Sequence, residues 1–151
     1  MKAPALSRGW LLALLLMAGL CVPNSAWAQD GSPVGQADQA AIRSVIEAQL
    51  AAFQRDDAAA AFAHASPAIQ QRFGNAETFM AMVKSNYRAV YRPAQVTFRD
   101  VRRLNNEPAQ LIDIIGPGGR PVIAVYVMEK QADGRWRIGG VFLTKSPDQV
   151  T

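Results

Sequence analysis

The sequence is poor in the side chains that carry most covalent and metal chemistry. It has one cysteine, Cys21, and one histidine, His64. Zinc sites draw on sets of cysteine and histidine ligands, and thiol catalysis needs a reactive cysteine. The acidic residues are scattered except for Asp56–Asp57, and neighbouring positions on a helix do not face one site. No G-x-S-x-G motif or P-loop is present. We therefore expect no disulfide, no bound metal and no cofactor.

The N-terminus has the pattern of a secretory signal. Lys2 and Arg8 precede the apolar run Trp10–Leu20, and Ala26 and Ala28 form an A-x-A cleavage motif. The apolar run is shorter than the roughly 20 residues that a membrane-spanning helix needs. We expect cleavage after Ala28, a periplasmic or secreted mature protein, and no membrane association after cleavage.

The charge balance gives no reason to expect a nucleic-acid partner. The chain has 16 basic and 12 acidic residues, a net charge of +4. Cleavage of residues 1–28 would remove two basic and no acidic residues, which halves that excess. Nucleic-acid binding usually needs a stronger and more concentrated positive charge. The expected organisation is a signal (1–28), a flexible leader (29–37), one domain (38–145) and a tail (146–151).

The first half of the domain has helical periodicity. Ile42, Ile46, Leu50 and Phe53 recur at the spacing of one helix face, and Asp38 is the expected N-cap. Three further helix starts follow within about twenty residues, and Gly74 is expected to close the third helix. These starts are Asp56 or Asp57, Ser66–Pro67 and Asn75.

The second half is rich in β-branched and aromatic residues. It predicts four strands separated by turn signals, with Asp133–Gly134 as a two-residue hairpin. The predicted strands are Val96–Leu104, Gln110–Ile115, Val122–Lys130 and Trp136–Thr144. Helices followed by hairpin-linked strands indicate an α+β domain with an antiparallel sheet.

Two of the predicted strands are apolar on both faces. Val122–Met128 and Ile138–Leu143 do not alternate between apolar and polar residues. An antiparallel sheet with one solvated face normally alternates. Because isologous dimers are common, we expect a second subunit to cover the outer face of the sheet. The alternative cover is the leader or the tail of the same chain.

Three runs carry a resemblance that spans Ala40 to Leu143: "AIRSVIEAQLAAFQRDDAAAAFAHASPAIQQRFG", "YRAVYRP" and "DGRWRIGGVFL". The chain resembles a family of exported bacterial proteins of unknown function in the nuclear-transport-factor-2-like superfamily. That resemblance implies a cone: a curved antiparallel sheet of about four strands around three to four N-terminal helices, often dimeric through the sheet. The superfamily includes ketosteroid isomerase, scytalone dehydratase and limonene epoxide hydrolase, together with binding and assembly modules that have no catalytic activity. Its catalytic residues differ between members, so none is transferred to this chain.

Asp113 and Tyr126 are the weak candidates for catalysis. Asp113 lies among apolar residues in "QLIDIIG", and a partly buried acid on the cone lining could act as a general base. Tyr126 could donate a hydrogen bond to a developing oxyanion. The alternative places Asp113 on the outer face, paired with Arg99 or Arg137. His64 is better explained as a residue near a helix end than as a base.

A local mixture of arginines and tyrosines is the candidate for ligand binding. Arginine forks match carboxylates, and aromatic rings supply apolar contact. The alternative is a solvated strand face with the arginine stems lying on the sheet. The candidate ligand-binding residues are Tyr87, Tyr91, Arg92, Asp113 and Tyr126, from a stretch that also contains Arg88, Arg99, Arg102 and Arg103.

Three functions follow from this pattern. The first is non-catalytic binding of a small amphipathic or anionic ligand, or of a partner protein in the cell envelope. The second is a cofactor-free isomerase, dehydratase or hydrolase for a small apolar substrate. The third is a structural interaction module whose cone is plugged by Phe53, Phe62, Phe79 and Trp136. The interior of the cone should distinguish them, because fold alone does not specify function.

Overall fold

Five helices precede four strands in the computed structural model, which describes residues 33–145. The helices are α1 (Gln36–Gln54), α2 (Ala58–Ala63), α3 (Pro67–Phe73), α4 (Ala76–Asn86) and α5 (Arg88–Tyr91). The strands are β1 (Gln95–Leu104), β2 (Glu107–Ile115), β3 (Pro121–Lys130) and β4 (Trp136–Lys145). This order confirms the α+β prediction. The predicted signal, the start of the leader and the tail lie outside the described residues.

The first helix begins earlier than the sequence predicts. Its N-cap is Gly35, and Asp38 lies in the first helical turn. The Asp38 carboxylate accepts hydrogen bonds from the Lys130 ammonium at 2.9 Å and from the Trp136 indole at 3.1 Å. Asp38 therefore joins the helix to the β3–β4 hairpin and does not cap it. None of the described helices is long and apolar enough to cross a membrane.

The bent arrangement of the following helices is as predicted. The Asp57 carboxylate accepts from the Ala60 N–H at 3.0 Å, and the Asn75 amide oxygen accepts from the Thr78 N–H at 2.8 Å. Each residue satisfies a backbone donor that the start of a helix leaves free. Gly74 ends α3 at φ +75°, a conformation that favours glycine. The stretch around Asp57 thus acts as helix punctuation.

The four strands form one antiparallel sheet in the order β1-β2-β3-β4. Asn105 and Asn106 both have positive φ in the two-residue β1–β2 turn. The β3–β4 turn differs from the expected two-residue loop. The Gln131 N–H donates to the Arg135 carbonyl, so three residues are enclosed, and Gly134 takes the positive φ. This is the three-residue hairpin in which a left-handed glycine follows a tight turn.

A bulge interrupts the β3–β4 ladder next to Gly139. Met128 pairs with Ile138 and Val127 with Gly140, which leaves Gly139 as the extra residue. A Cβ at Gly139 would lie 2.2 Å from Oε1 of Glu129. A side chain at this position would therefore displace Glu129.

The inner face of the sheet packs against the helices and forms the core. The register places Gln110 opposite Tyr126 and Tyr126 opposite Val141, so these residues share that face. Helices α1 and α4 cover it with buried apolar side chains. The buried core includes Ile42, Ile46, Leu50, Phe53, Met80, Val83, Ile112, Ile114, Ala124, Met128 and Ile138.

The outer face of the sheet is also apolar, as the sequence predicts. Leu111 lies opposite Val125, and Val125 lies opposite Phe142. The Phe142 side chain is 60% exposed. Helices therefore cover one face only, and a second subunit on the other face stays a prediction.

Candidate functional site

A cavity of about 500 Å³ lies between the helical layer and the end of β4. We call it the α4–β4 cavity. Its walls come from α1, α3, α4 and α5 on one side and from residues 138–142 of β4 on the other. Most of its lining is apolar: Phe53, Ala65, Ile69, Phe73, Phe79, Met82, Val83, Val90, Ile138, Val141 and Phe142. Its volume lies within the range of small-molecule sites, which are also mostly apolar.

A cluster of phenylalanines closes the inner end of this cavity. The Phe79 ring centroid lies 6.2 Å from that of Phe53, 5.4 Å from Phe62 and 5.7 Å from Phe73. These separations are typical of packed aromatic pairs. The deep interior is thus filled by side chains, as the plugged-cone hypothesis expects, while the mouth stays open. Trp136 belongs to the opposite end of the sheet, beside Asp38.

Four polar side chains line the α4–β4 cavity. Three of them donate to backbone carbonyls: Gln49 to Ala61 at 3.1 Å, Asn86 to Met82 at 3.2 Å and Tyr87 to Val141 at 3.3 Å. The fourth is Arg72, in the last turn of α3. Its guanidinium carbon lies 5.9 Å from the Phe73 ring centroid. No hydrogen bond or ion pair joins this guanidinium to another of residues 33–145.

A second hollow, of about 600 Å³, surrounds the start of α1. It is larger but less suited to an apolar ligand, because charges of both signs line it. These include Asp38, Arg103, Glu107, Glu129 and Lys130. Asp38 is already engaged by Lys130 and Trp136, and these hydrogen bonds lower the pKa of its carboxyl. Asp38, Lys130 and Arg103 in this hollow are thus already engaged by other groups of the chain.

The structure separates the two residues considered for catalysis. Asp113 lies opposite Ile123 in the ladder and Tyr126 lies opposite Gln110, so the two side chains are on opposite faces of the sheet. The Asp113 carboxylate accepts a hydrogen bond from Nε of Arg99 at 2.5 Å. This is the outer-face pairing given as the alternative above. Asp113 and Tyr126 therefore cannot converge on one substrate within a single chain.

Tyr126 is enclosed by the core. Its side chain is completely buried, and its hydroxyl has no hydrogen-bond partner among the described residues. Burial raises the pKa of this phenol far above its ordinary value. It is not among the residues that line the α4–β4 cavity. A substrate in that cavity would not reach its hydroxyl.

Tyr91 and Arg92 form a cluster with Asp56, outside the cavity. Asp56 accepts from the Tyr91 hydroxyl, from Nη2 of Arg92 at 2.7 Å and from the Lys84 ammonium at 3.1 Å. We call these four residues the Asp56 cluster. The Tyr91 and Lys84 hydrogen bonds, followed by the positive charge of Arg92, lower the pKa of Asp56 to about 2. The cluster ties the end of α1 to α4 and α5.

Of the five predicted ligand-binding residues, only Tyr87 lines the α4–β4 cavity. The arginines of that stretch are dispersed: Arg92 joins the Asp56 cluster, Arg99 binds Asp113, and Arg103 donates to the Asn106 carbonyl at 2.7 Å. Arg72 is a lining residue that was not predicted from the sequence. The run "SPAIQQRFG" could have indicated it, because Ile69, Arg72 and Phe73 are spaced to lie within one helical turn of each other.

The only histidine lies at the end of α2. The carbonyl of His64 accepts from the Ile138 N–H at 2.9 Å, which attaches this segment to β4. Partial burial, and secondarily the charge of Arg137, lower the pKa of its imidazole. Among residues 33–145 no three histidine, cysteine or acidic side chains are grouped as a metal site would require.

Comparison with known proteins identifies the class. The family model described as "Domain of unknown function (DUF4864)" matches residues 35–151, and the chain belongs to that family. No curated protein matches it.

Two solved structures are similar in fold, both described as NTF-2 like proteins of unknown function. The Shewanella oneidensis MR-1 protein is 17% identical at a TM-score of 0.48, and the match covers 70% of this chain and 98% of that one. The Burkholderia xenovorans LB400 protein is 18% identical at a TM-score of 0.46, covering 72% of this chain and 86% of that one. Both similarities are distant.

Proposed function

We propose that this domain binds a small amphipathic ligand in the α4–β4 cavity and does not act as a catalyst. The observation that carries the proposal is an apolar cavity of about 500 Å³ bounded by Phe53, Phe79 and Ile138. Burial of apolar ligand surface against such walls provides about 25 cal/mol per Å². Polar groups at the mouth can then fix the orientation of the ligand.

Binding is favoured over catalysis by the chemistry of the lining. General acid–base catalysis needs a titratable side chain within hydrogen-bond reach of the reacting group. The described lining residues include no aspartate, glutamate, histidine or lysine. The Tyr87 hydroxyl is already committed to the Val141 carbonyl. The enzyme hypothesis thus has no acid–base pair in the cavity.

A cavity-filling variant tests the proposal. Ile69 lines the cavity and is half-buried, so Ile69→Trp should occupy its space. Val101→Trp is the matched control, because Val101 is also half-buried but lies on β1, away from the cavity. The probe is the amphipathic dye 1-anilinonaphthalene-8-sulfonate, titrated into the native protein by calorimetry. We expect binding to the wild type and to Val101→Trp and its loss in Ile69→Trp. Equal binding by both variants would reject the cavity as the site.

We also propose that the protein acts as a homodimer through the outer face of the sheet. Leu111, Val125 and Phe142 make this face apolar, and exposed apolar patches commonly mark interfaces. Light scattering should give twice the mass of one chain, and Val125→Lys should give the mass of a single chain. A wild-type monomer at high micromolar concentration would contradict the dimer.

Export to the periplasm or the medium remains the proposal for localisation. It is supported by the charged start, the short apolar run and the A-x-A motif before residue 29. Mass spectrometry of the protein from its own cells should find Gln29 at the N-terminus. An N-terminus at Met1 would overturn the proposal.

A further inference from the structure

The polar side chains that line the α4–β4 cavity differ in whether their hydrogen-bond donors have a partner within the chain. Donors on Gln49, Asn86 and Tyr87 each reach a backbone carbonyl. Arg72 lines the same cavity and makes no hydrogen bond or ion pair with any of residues 33–145. Among the described residues, it is thus the one lining side chain whose donors are wholly available to a ligand.

The charge of the lining favours a negatively charged ligand. Arg72 is the only charged residue among the described residues that line the cavity. A guanidinium presents two parallel N–H groups that match the two oxygens of a carboxylate. A cationic ligand would meet an uncompensated positive charge there. A neutral oxygen could accept a hydrogen bond from it, but without the attraction between opposite charges.

The position of Arg72 links that charge to the apolar space. Its neighbour Phe73 lines the cavity and contacts Phe79 at the inner end. The Arg72 guanidinium lies near the Phe73 ring, and Arg72 is exposed to solvent. An anion bound to Arg72 would keep its head group near solvent, and an attached apolar chain would extend along Phe73 toward Phe79.

The volume limits the size of that chain. In a liquid, a group the size of a water molecule occupies about 30 Å³. The cavity volume of about 500 Å³ therefore holds roughly 16 non-hydrogen atoms. Long-chain lipids with two acyl chains exceed this limit. A single medium-length chain fits.

We propose that the ligand of the α4–β4 cavity is a monoanionic amphiphile, a carboxylate with one medium-length apolar chain, and that Arg72 binds its carboxylate. This rests on the proposed function and adds the ligand class and its anchor. Arg72 acts as a specificity-determining residue, because it discriminates a carboxylate from an alcohol on the same chain.

Calorimetric titration with decanoate, decanol and decyltrimethylammonium tests the ligand class. We expect decanoate to bind at least tenfold more tightly than decanol, since hydrogen bonds to charged groups are stronger than neutral ones. Decyltrimethylammonium should bind most weakly. Equal affinities for decanoate and decanol would overturn the inference.

Substitutions then test the anchor. Arg72→Gln should weaken decanoate binding about tenfold and leave decanol binding unchanged. Arg72→Lys should restore part of the loss, because it keeps the charge without the fork. Arg55→Gln is the matched control, since Arg55 is exposed at the end of α1 and does not line the cavity. Unchanged decanoate binding by Arg72→Gln would overturn the role of Arg72.

The cavity-filling variant separates the two levels of the proposal. If Ile69→Trp abolishes binding of both decanoate and decanol while Arg72→Gln has no effect, the cavity is the site and the anion preference is wrong. If Ile69→Trp changes neither, or if neither probe binds the wild type, the proposed function fails together with this inference. Thermal unfolding of each variant checks that a loss of binding is not a loss of fold.

Discussion

The middle of the sheet and the end of its edge strand β4 differ in how completely they are covered. On β3, the residues Ala124, Tyr126 and Met128 are completely buried. On β4, burial ends soon after Ile138, and residues 142–145 are exposed. The last residues of β4 are thus left open, and the α4–β4 cavity is lined by residues 138–142 of this strand. We call the buried middle of the sheet the closed half and the exposed end of β4 the open half. This is a suitable arrangement for a binding site, because a well-packed core can hold the open walls in place.

Removing the aromatic ring at the boundary between these halves should have the largest effect. Phe79 is 6% exposed and packs against Phe53, Phe62 and Phe73. Phe79→Ala should lower the free energy of unfolding by about 3–5 kcal/mol, through lost apolar contact and an enlarged cavity. Urea denaturation measures this. A loss below about 1 kcal/mol would mean that the inner end is less tightly packed than the structure indicates.

The next largest effect concerns the hydroxyl buried in the closed half. Tyr126→Phe removes a polar atom that has no partner among the described residues. Since an unsatisfied buried hydroxyl costs free energy, the variant should be as stable as the wild type or more stable by about 1 kcal/mol. Its affinity for the dye and for decanoate should be unchanged, because Tyr126 does not line the cavity.

A loss of stability in Tyr126→Phe by more than about 1 kcal/mol would contradict this description of the closed half. It would mean that the hydroxyl has a stabilising partner. Chemical denaturation of the two proteins side by side distinguishes these results.

How much of this arrangement the sequence could predict depends on the range of the interactions. Helix starts at Asp57 and Asn75 were predictable because a cap bonds to a backbone group three residues away. The four strands were predictable from local composition and turn residues. The Asp56–Arg92 contact joins residues that are 36 positions apart, and no local sequence pattern predicts it.

The face occupied by Asp113 was undecidable for a different physical reason. Strand β2 has apolar residues on both faces. Leu111 and Ile115 share the face of Asp113, whereas Ile112 and Ile114 lie on the other face. Periodicity assigns a face only when one side is polar. The α4–β4 cavity was equally hidden, because its walls come from five elements distant in sequence.

A smaller effect on stability is expected from the Asp56 cluster, and it should depend on pH. The pKa of Asp56 is lowered from 3.8 to about 2, first by the Tyr91 hydroxyl and then by Lys84 and Arg92. A carboxyl with a depressed pKa in the folded state contributes stability that is complete above its unfolded pKa. That contribution should therefore be present above about pH 4 and be lost as the pH falls toward 2.

Asp56→Asn isolates this contribution. Asp56 has φ +58°, and asparagine tolerates that conformation, so the substitution changes the charge and not the backbone preference. The variant should be less stable than the wild type at pH 6, and the difference should disappear below about pH 2. Thermal unfolding across this range measures the difference. A constant difference at every pH would assign it to something other than the charge.

The smallest effect on stability is expected at the open end of the sheet. Phe142 is 60% exposed and lines the α4–β4 cavity, whereas Phe79 lines the same cavity but is almost completely buried. Phe142→Ala should change the free energy of unfolding of a single chain by no more than about 0.5 kcal/mol, since exposed substitutions rarely do more. It should instead weaken decanoate binding or self-association, because it removes part of a wall and part of the outer face. If the exposed ring proved as costly to remove as Phe79, a second chain or another segment would have to cover it, and the closed and open halves would not differ as described.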